Sequence, residues 1–175
     1  MKRSIVLRGG CVLIGGLLTW PSLKGALRKP TSATGVTHED ERKCAVCGMF
    51  LAPYRDWLAS IRFRDGVVVS FDGVKDLFKY YFDIHRYHPG RTPQQVDSVQ
   101  VTEYYSLRPM DGYRSHFVMG SDVLGPMGHE LIPFATEQAA MQFLRDHHGE
   151  RVLTFAEVTQ ETIARLDTMP PRTKR

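Results

Sequence analysis

Cysteine is scarce in this sequence, which contains only three in 175 residues. Cys44 and Cys47 form a pair, and Cys11 lies well before them. A structural zinc site usually takes four Cys or His ligands from two such pairs. Because no second cysteine pair exists, the chain lacks the pattern of a four-cysteine zinc module.

Long hydrophobic runs are also missing. The apolar run at residues 11–20 is shorter than the roughly 20 residues that a membrane-spanning helix needs. It follows Lys2, Arg3 and Arg8, and a short apolar run behind basic residues is typical of an export signal. No clean small-x-small cleavage site comes after it, so the segment is either a signal peptide or an uncleaved anchor.

We therefore predict that residues 1–29 are a signal peptide or an N-terminal membrane anchor. Residues 30–42, rich in Pro, Thr, Ser and charge, are predicted to be a linker. This arrangement predicts a periplasmic protein, attached to the inner membrane if the segment is not cleaved. Cys11 opens the apolar run instead of following it, which is the wrong position for lipidation.

The body of the chain has no excess of basic residues, although the net charge is +4. Residues 1–29 contain six Lys or Arg and no acid, and residues 172–175 contain three more. The remaining 14 basic residues face all 19 acidic ones, so the body is near −5. Nucleic-acid binding requires a basic patch on the folded body. We therefore expect no nucleic-acid partner.

The chain shows no obvious catalytic constellation either. No nucleophile–base pair and no paired carboxylates stand out, so we expect the protein not to be an enzyme. The competing interpretation is a thiol–disulfide oxidoreductase that uses Cys44 and Cys47. Against it, the CxxC of such enzymes normally opens a helix in a βαβ setting, whereas this one precedes a Pro-interrupted stretch and a hairpin.

The most informative motif is the CAVCGM sequence of residues 44–49. Cys44, Cys47 and Met49 can converge on one ion, because Gly48 permits a sharp turn. Thiolate and thioether are soft donors, which suit Cu(I) better than Mg²⁺ or Ca²⁺. A CxxC motif alone leaves three interpretations open: a metal site, a redox dithiol, or a structural turn that is oxidised or binds zinc.

Residues 57–105 have the pattern of a ββαβ unit. Apolar and polar residues alternate over 57–64, and Asp65-Gly66 predicts a tight hairpin turn before the returning strand. Asp72 is expected to cap a helix whose apolar residues recur at helical spacing from Val74 to Phe82. A polar loop over 85–97 then leads to a third strand at 99–105.

Residues 115–158 repeat that order with a longer connection, residues 121–129, in place of the tight turn. Thr136 is expected to cap the second helix, Gly149 to end it, and residues 152–158 to form the closing strand. Neither unit alone buries much core, so the two should pack together as one α+β domain, residues 43–167. Residues 168–175 form a basic tail.

The long connection carries the second chemical feature, the GPMGH sequence of residues 125–129. Met127 lies between glycines on a turn, where it either reaches a metal as a thioether or covers the end of the sheet. His129 is either an imidazole ligand or a surface residue. Met119 fits the pattern of a buried strand and is predicted to lie in the core.

Three blocks of this sequence together resemble the NosL family, the nitrous oxide reductase accessory proteins. They are CAVCGM at 44–49, FDG at 71–73 and PMGHELIPF at 126–134, and they appear in order between residues 43 and 158. The resemblance implies a pair of packed ββαβ units, related to the treble-clef-like domain of organomercurial lyase. Family members are often lipoproteins with a Cys after the apolar run, and this chain has none there.

The resemblance also implies a function. NosL proteins are extracytoplasmic Cu(I)-binding copper chaperones, so the implied cargo is Cu(I) and the implied process is the maturation of nitrous oxide reductase in denitrification. The implied partners are that copper enzyme and a membrane maturation complex. Carried over residue by residue, the family's sulfur ligands nominate Cys47, Met49 and Met127, with Cys44 and His129 as further candidates.

Overall fold

The computed structural model describes residues 42–170, and these form an α+β domain with small antiparallel sheets, which confirms the predicted fold class. The predicted signal or anchor at residues 1–29, and most of the predicted linker 30–42 and basic tail 168–175, lie outside the described residues. None of the helices between residues 42 and 170 combines the length and apolar character that crossing a bilayer requires. The helices are α1 Val74–Phe82, α2 Ile84–Tyr87, α3 Glu137–Asp146 and α4 Gln160–Thr168. The strands are β1 Ala59–Phe63, β2 Val68–Phe71, β3 Val96–Thr102, β4 Pro109–Asp111, β5 His116–Met119, β6 Leu124–Gly125, β7 Gly128–His129, β8 Ile132–Phe134 and β9 Arg151–Thr154.

The first sheet has the antiparallel order β2-β1-β3-β4. Its β1–β2 hairpin turns where the sequence predicts, because Gly66 takes a φ of 87° that other residues rarely adopt. Ala59, Ile61 and Phe63 are buried while Arg62 is exposed, which confirms the predicted alternation. Trp57 belongs instead to a 3₁₀ turn, Ala52–Trp57, ahead of the strand.

The second sheet has the order β8-β5-β9, and β6 and β7 form a separate small hairpin within the β5–β8 connection. In both sheets the first strand of the unit lies between the second strand and the strand that follows the helix. The two sheets therefore share one strand order, and the β6–β7 hairpin is an elaboration of the second.

The two sheets are joined by aromatic packing around α1. The ring of Phe78 lies 5.7 Å from that of Phe117 on β5 and 4.7 Å from that of Phe155, measured between centroids. All three side chains lie in one buried cluster. The predicted core residue Met119 is fully buried in the same cluster, whereas Met141 on α3 is exposed. Tyr80 of α1 also packs against Phe71 on β2, at 5.2 Å between ring centroids, so α1 contacts both sheets.

Several predicted boundaries were wrong. Strand β3 runs from Val96 to Thr102 because a bulge in β1 pairs Phe63 with Val96. Strand β9 ends at Thr154, whose backbone N–H donates to the Glu157 carboxylate and starts a 3₁₀ turn. The loop predicted over 85–97 contains α2 and a turn at Pro93–Gln95, and α4 occupies residues for which no helix was predicted.

The predicted helix caps had different outcomes. The Thr136 side chain accepts a hydrogen bond from the Ala139 N–H, which confirms that cap. Asp72 does not cap α1: the N-cap is Gly73, and no side chain caps it. Helix α3 ends with His148 at a φ of 53°, while the Gly149 N–H donates to the Leu144 carbonyl. That pattern is a Schellman ending in which His148 holds the left-handed position expected for Gly149.

Candidate metal centre

The segment at residues 43–50, called here the Cys turn, is closed by its own backbone. Lys43 and Phe50 pair as an isolated bridge, and the Cys44 N–H donates to the Met49 carbonyl at 2.8 Å. Gly48 takes a φ of 76°, which confirms the need for glycine at this point of the turn. The Ala45 N–H donates to the Ser70 carbonyl at 3.2 Å, so the turn is attached to the outer edge of β2.

That attachment places both thiols beside the start of α1. The Cys44 thiol donates to Asp76 Oδ2 at 3.3 Å, and the Cys47 thiol donates to Asp72 Oδ2 at 3.4 Å. One ligand atom from each of these four residues lies within 4.8 Å of the other three. Two sulfur and two oxygen donors thus converge on a space of the size that one metal ion occupies, and we call these four residues the Cys/Asp group.

The Cys/Asp group is buried, and its carboxylates lack part of their hydrogen bonds. Asp72, Asp76 and Cys44 are buried, Cys47 is half-buried, and Oδ1 of each aspartate has no hydrogen-bond partner. Burial raises the pKa of both thiols above the ordinary range. Burial, and then the charge of Asp72, raises the pKa of Asp76. Because four acidic groups share a site with little solvent, a bound cation would stabilise their ionised forms.

Helix α1 explains how the carboxylates meet the thiols. Asp72 lies between β2 and the N-cap Gly73, and Asp76 lies in the first turn of α1, so the strand-to-helix junction brings both carboxylates to the thiols. Lys79, one turn further on, approaches Asp76 Oδ1 at 3.6 Å and is the nearest recorded cation of that carboxylate. Helix α1 itself therefore supplies a positive charge, on Lys79, that partly offsets the negative charge of Asp76.

Asp72 and Asp76 were not predicted to be members of the site. Their i, i+4 spacing was visible in the sequence, but Asp72 was assigned to helix capping and Asp76 was not singled out. The contact with the thiols depends on docking of the Cys turn against β2, which no local pattern reveals. The structure therefore adds a pair of carboxylates, Asp72 and Asp76, that the sequence pattern did not indicate.

The structure places Met49 next to this group in the chain, with its side chain half-buried and its carbonyl closing the Cys turn. Met127 lies on the turn between β6 and β7, residues 125–128, which we call the Met turn. Its side chain is 42% exposed, and its carbonyl accepts a hydrogen bond from Lys75 Nζ at 2.8 Å. The Met turn therefore rests against the first turn of α1, and both methionines stay predicted ligands.

His129 has a different environment from the one expected for a surface residue. It is buried on β7, and its Nε2 lies 2.9 Å from the Pro170 carbonyl. The Cys/Asp group does not include it. That ring nitrogen is engaged by the segment after α4, so a ligand role for His129 stays a prediction that would require this contact to be exchanged or Nδ1 to be used.

Comparisons with known proteins agree with the resemblance. A family model described as NosL matches residues 35–163. Among solved structures, the chain is similar to the crystal structure of the copper chaperone NosL from Shewanella denitrificans, with a TM-score of 0.58 and 22% identity, covering 76% of this chain and 99% of that one. It is also similar to the solution NMR structure of the apo-NosL protein from Achromobacter cycloclastes, with a TM-score of 0.43 and 20% identity over 67% and 94%.

No curated protein matches the sequence. The family model nevertheless spans both sheets, the Cys/Asp group and the Met turn, which is most of the chain. Because the match covers far more than half of the sequence, the chain belongs to the NosL family.

Proposed function

We propose that this protein carries Cu(I) outside the cytoplasm and delivers it to a copper enzyme, nitrous oxide reductase, by ligand exchange. The observation that carries the proposal is the Cys/Asp group, in which two thiols and two carboxylates place ligand atoms within 4.8 Å of one another. Membership of the NosL family, and the printed description of a structurally similar protein as a copper chaperone, support copper as the cargo.

The donor set favours a soft ion. Two thiolates prefer Cu(I), and a thioether from Met49 or Met127 would strengthen that preference. The carboxylates are harder donors and also bind zinc. They therefore reduce the preference of the site for Cu(I) over Zn(II) without reversing it. Their negative charge compensates a cation in a site where neither Oδ1 has a hydrogen-bond partner.

The site also has the graded access that a carrier needs. Cys44 is buried, Cys47 is half-buried and Met127 is exposed. An acceptor approaching from solvent would replace the outermost donor first and the buried thiolate last. Copper could then be held without being trapped, because each exchange breaks only one bond at a time.

The same geometry disfavours a thiol–disulfide oxidoreductase. An attacking cysteine needs a lowered pKa, which enzymes obtain from a helix N-terminus or a neighbouring cation. Here burial raises the pKa of both thiols, and each donates to a carboxylate. The thiols are therefore poor nucleophiles until a cation displaces their protons.

The decisive measurement is a competition titration of the reduced protein without oxygen. We expect about one Cu(I) per chain, bound in preference to Zn(II). A Cys47→Ser variant, which removes one soft donor, should lose that preference, while Met141→Leu on an exposed face of α3 should bind like wild type. Equal or tighter binding of Zn(II) would contradict the carrier proposal and favour a structural metal.

Delivery needs its own test. Copper-loaded protein should restore copper content and activity to copper-free nitrous oxide reductase faster than the same amount of chelated Cu(I). Copper-loaded Cys47→Ser protein serves as the control. If the acceptor gains copper no faster from the protein than from the chelator, the protein stores copper and does not deliver it to this enzyme.

A further inference from the structure

We propose that Lys75 is a positioning residue for copper binding: it holds the Met turn against the start of α1 and so brings the Met127 thioether to the Cys/Asp group. The inference rests on the proposed function, since it assigns the residue that completes that site. Lys75 is neither a ligand nor a member of the group.

Lys75 is unusual because a charged side chain is almost completely buried, at 2% exposure. Its Nζ donates to the Met127 carbonyl at 2.8 Å and lies 3.3 Å from Asp167 Oδ1 on α4. Burying an ammonium group is costly unless it is paired and hydrogen-bonded. These two contacts offset that cost, and one of them is the backbone of the residue proposed as a ligand.

The backbone of Lys75 holds the other end of the same segment. Its N–H donates to Glu130 Oε1 at 2.5 Å, and the Leu131 N–H donates to the same oxygen at 2.8 Å. A Cβ built on Gly73 would meet the carboxyl group of Glu130, so the helix start and this segment are in close contact. Residue 75 therefore fixes both Met127 and Glu130 relative to α1.

The position of this attachment matters for the metal. Lys75 lies between Asp72 and Asp76 in the sequence, so it anchors the Met turn at the same end of α1 that carries the two carboxylates. The Met127 side chain is 42% exposed, so packing alone does not fix it. The position of its backbone therefore decides where the thioether can reach, and Lys75 Nζ holds that backbone through the Met127 carbonyl.

The experiment is a double-mutant cycle on the reduced full-length protein, with Cu(I) itself as the probe. Lys75→Met keeps the apolar stem but removes the donor, and Met127→Leu removes the thioether. We expect Lys75→Met to weaken Cu(I) binding about tenfold, as the loss of an outer contact of a metal ligand commonly does, and Met127→Leu to weaken it at least as much. Lys75→Met should add no further loss in the Met127→Leu background. X-ray absorption should count one sulfur fewer around copper in either variant than in wild type.

Two variants separate positioning from general stability. Asp167→Asn removes the carboxylate charge that pairs with Lys75 and, at 2.9 Å, with Lys79, without touching the Met turn, so it should lower the melting temperature while keeping the wild-type sulfur count. Lys75→Arg keeps a charged donor and should restore copper binding at least in part. If Lys75→Met does not fold, Lys75→Gln, whose shorter side chain cannot reach Met127, takes its place.

The outcomes are distinguishable. If wild type does not bind Cu(I), the proposed function fails and this inference fails with it. If Met127→Leu weakens binding but Lys75→Met leaves affinity and sulfur count unchanged, the chaperone function stands and the positioning role is wrong. Equal losses from Lys75→Met in both backgrounds would show that Lys75 acts only through stability, and an unaffected Met127→Leu would show that no thioether is positioned.

Discussion

Replacing Glu130 by Gln should make the protein's stability less sensitive to pH. Glu130 is completely enclosed between α1 and the β6–β7 hairpin, and burial raises its pKa from an ordinary 4.5 to about 8. Two backbone N–H donors and the charge of Lys75 act in the opposite direction without cancelling that effect. The carboxyl group is therefore protonated at neutral pH in the folded protein.

The sign and size follow from proton linkage. A group whose pKa is higher in the folded state contributes stability that is complete below the unfolded pKa, here near 4.5, and lost as pH rises through the folded value near 8. Each unit of that window is worth about 1.4 kcal/mol. Across the whole window the free energy of unfolding should fall by on the order of 5 kcal/mol, which is a large part of the free energy of unfolding of a typical protein.

The assay is urea unfolding of wild type and Glu130→Gln at several pH values between 5 and 8. Gln keeps the oxygen that accepts from the Lys75 and Leu131 N–H groups, so the two proteins should be similarly stable near pH 5 and diverge above it. Glu157→Gln is the control that should run parallel to wild type over this range, because hydrogen bonds from Thr154 lower the pKa of that exposed carboxyl below its ordinary 4.5 and so keep it ionised throughout. Parallel pH profiles for wild type and Glu130→Gln would refute the reasoning.

Two further predictions concern the metal centre. Mild oxidation should remove Cu(I) affinity, because a disulfide between Cys44 and Cys47 eliminates both thiolates; unchanged binding by chelator competition would assign copper to the methionines instead. Asp76→Asn should leave the metal-free protein as stable or more stable at neutral pH, since it removes a buried acid whose pKa is raised by burial and by the charge of Asp72. It should still weaken Cu(I) binding about tenfold, and a melting temperature that falls with unchanged affinity would show a purely structural role.

Local patterns predicted the elements that depend on neighbouring residues. Alternation over β1, glycine in the β1–β2 turn and the Thr136 cap all follow from spacing within a few residues, and all are present. The pairing of thiols with carboxylates was not predictable in that way. The pairing requires the hydrogen bond from the Ala45 N–H to the Ser70 carbonyl. A contact between residues 25 positions apart produces no periodic pattern in the sequence.

The contact between the Met turn and α1 was not predictable for a related reason. Met127 was identified because a methionine between two glycines is unusual, but its attachment depends on a buried lysine inside an amphipathic helix pattern. Helical spacing of apolar residues predicts which residues face the core, and a lysine within such a helix is expected to lie at the surface. Helix α4, which supplies Asp167 to this lysine, was not predicted, although Thr159 caps its start and Pro170 follows its end.

The hydrogen bond from the Cys turn to Ser70 has a consequence for solubility. Strand β2 is the edge of the four-stranded sheet, and Val67 and Val68 near its start are 40% and 44% exposed. An uncovered edge strand with exposed apolar residues is a template for pairing with other chains. The Cys turn occupies part of that edge, so the segment that handles the metal also shields the sheet, and a chain whose turn detaches would be prone to aggregate.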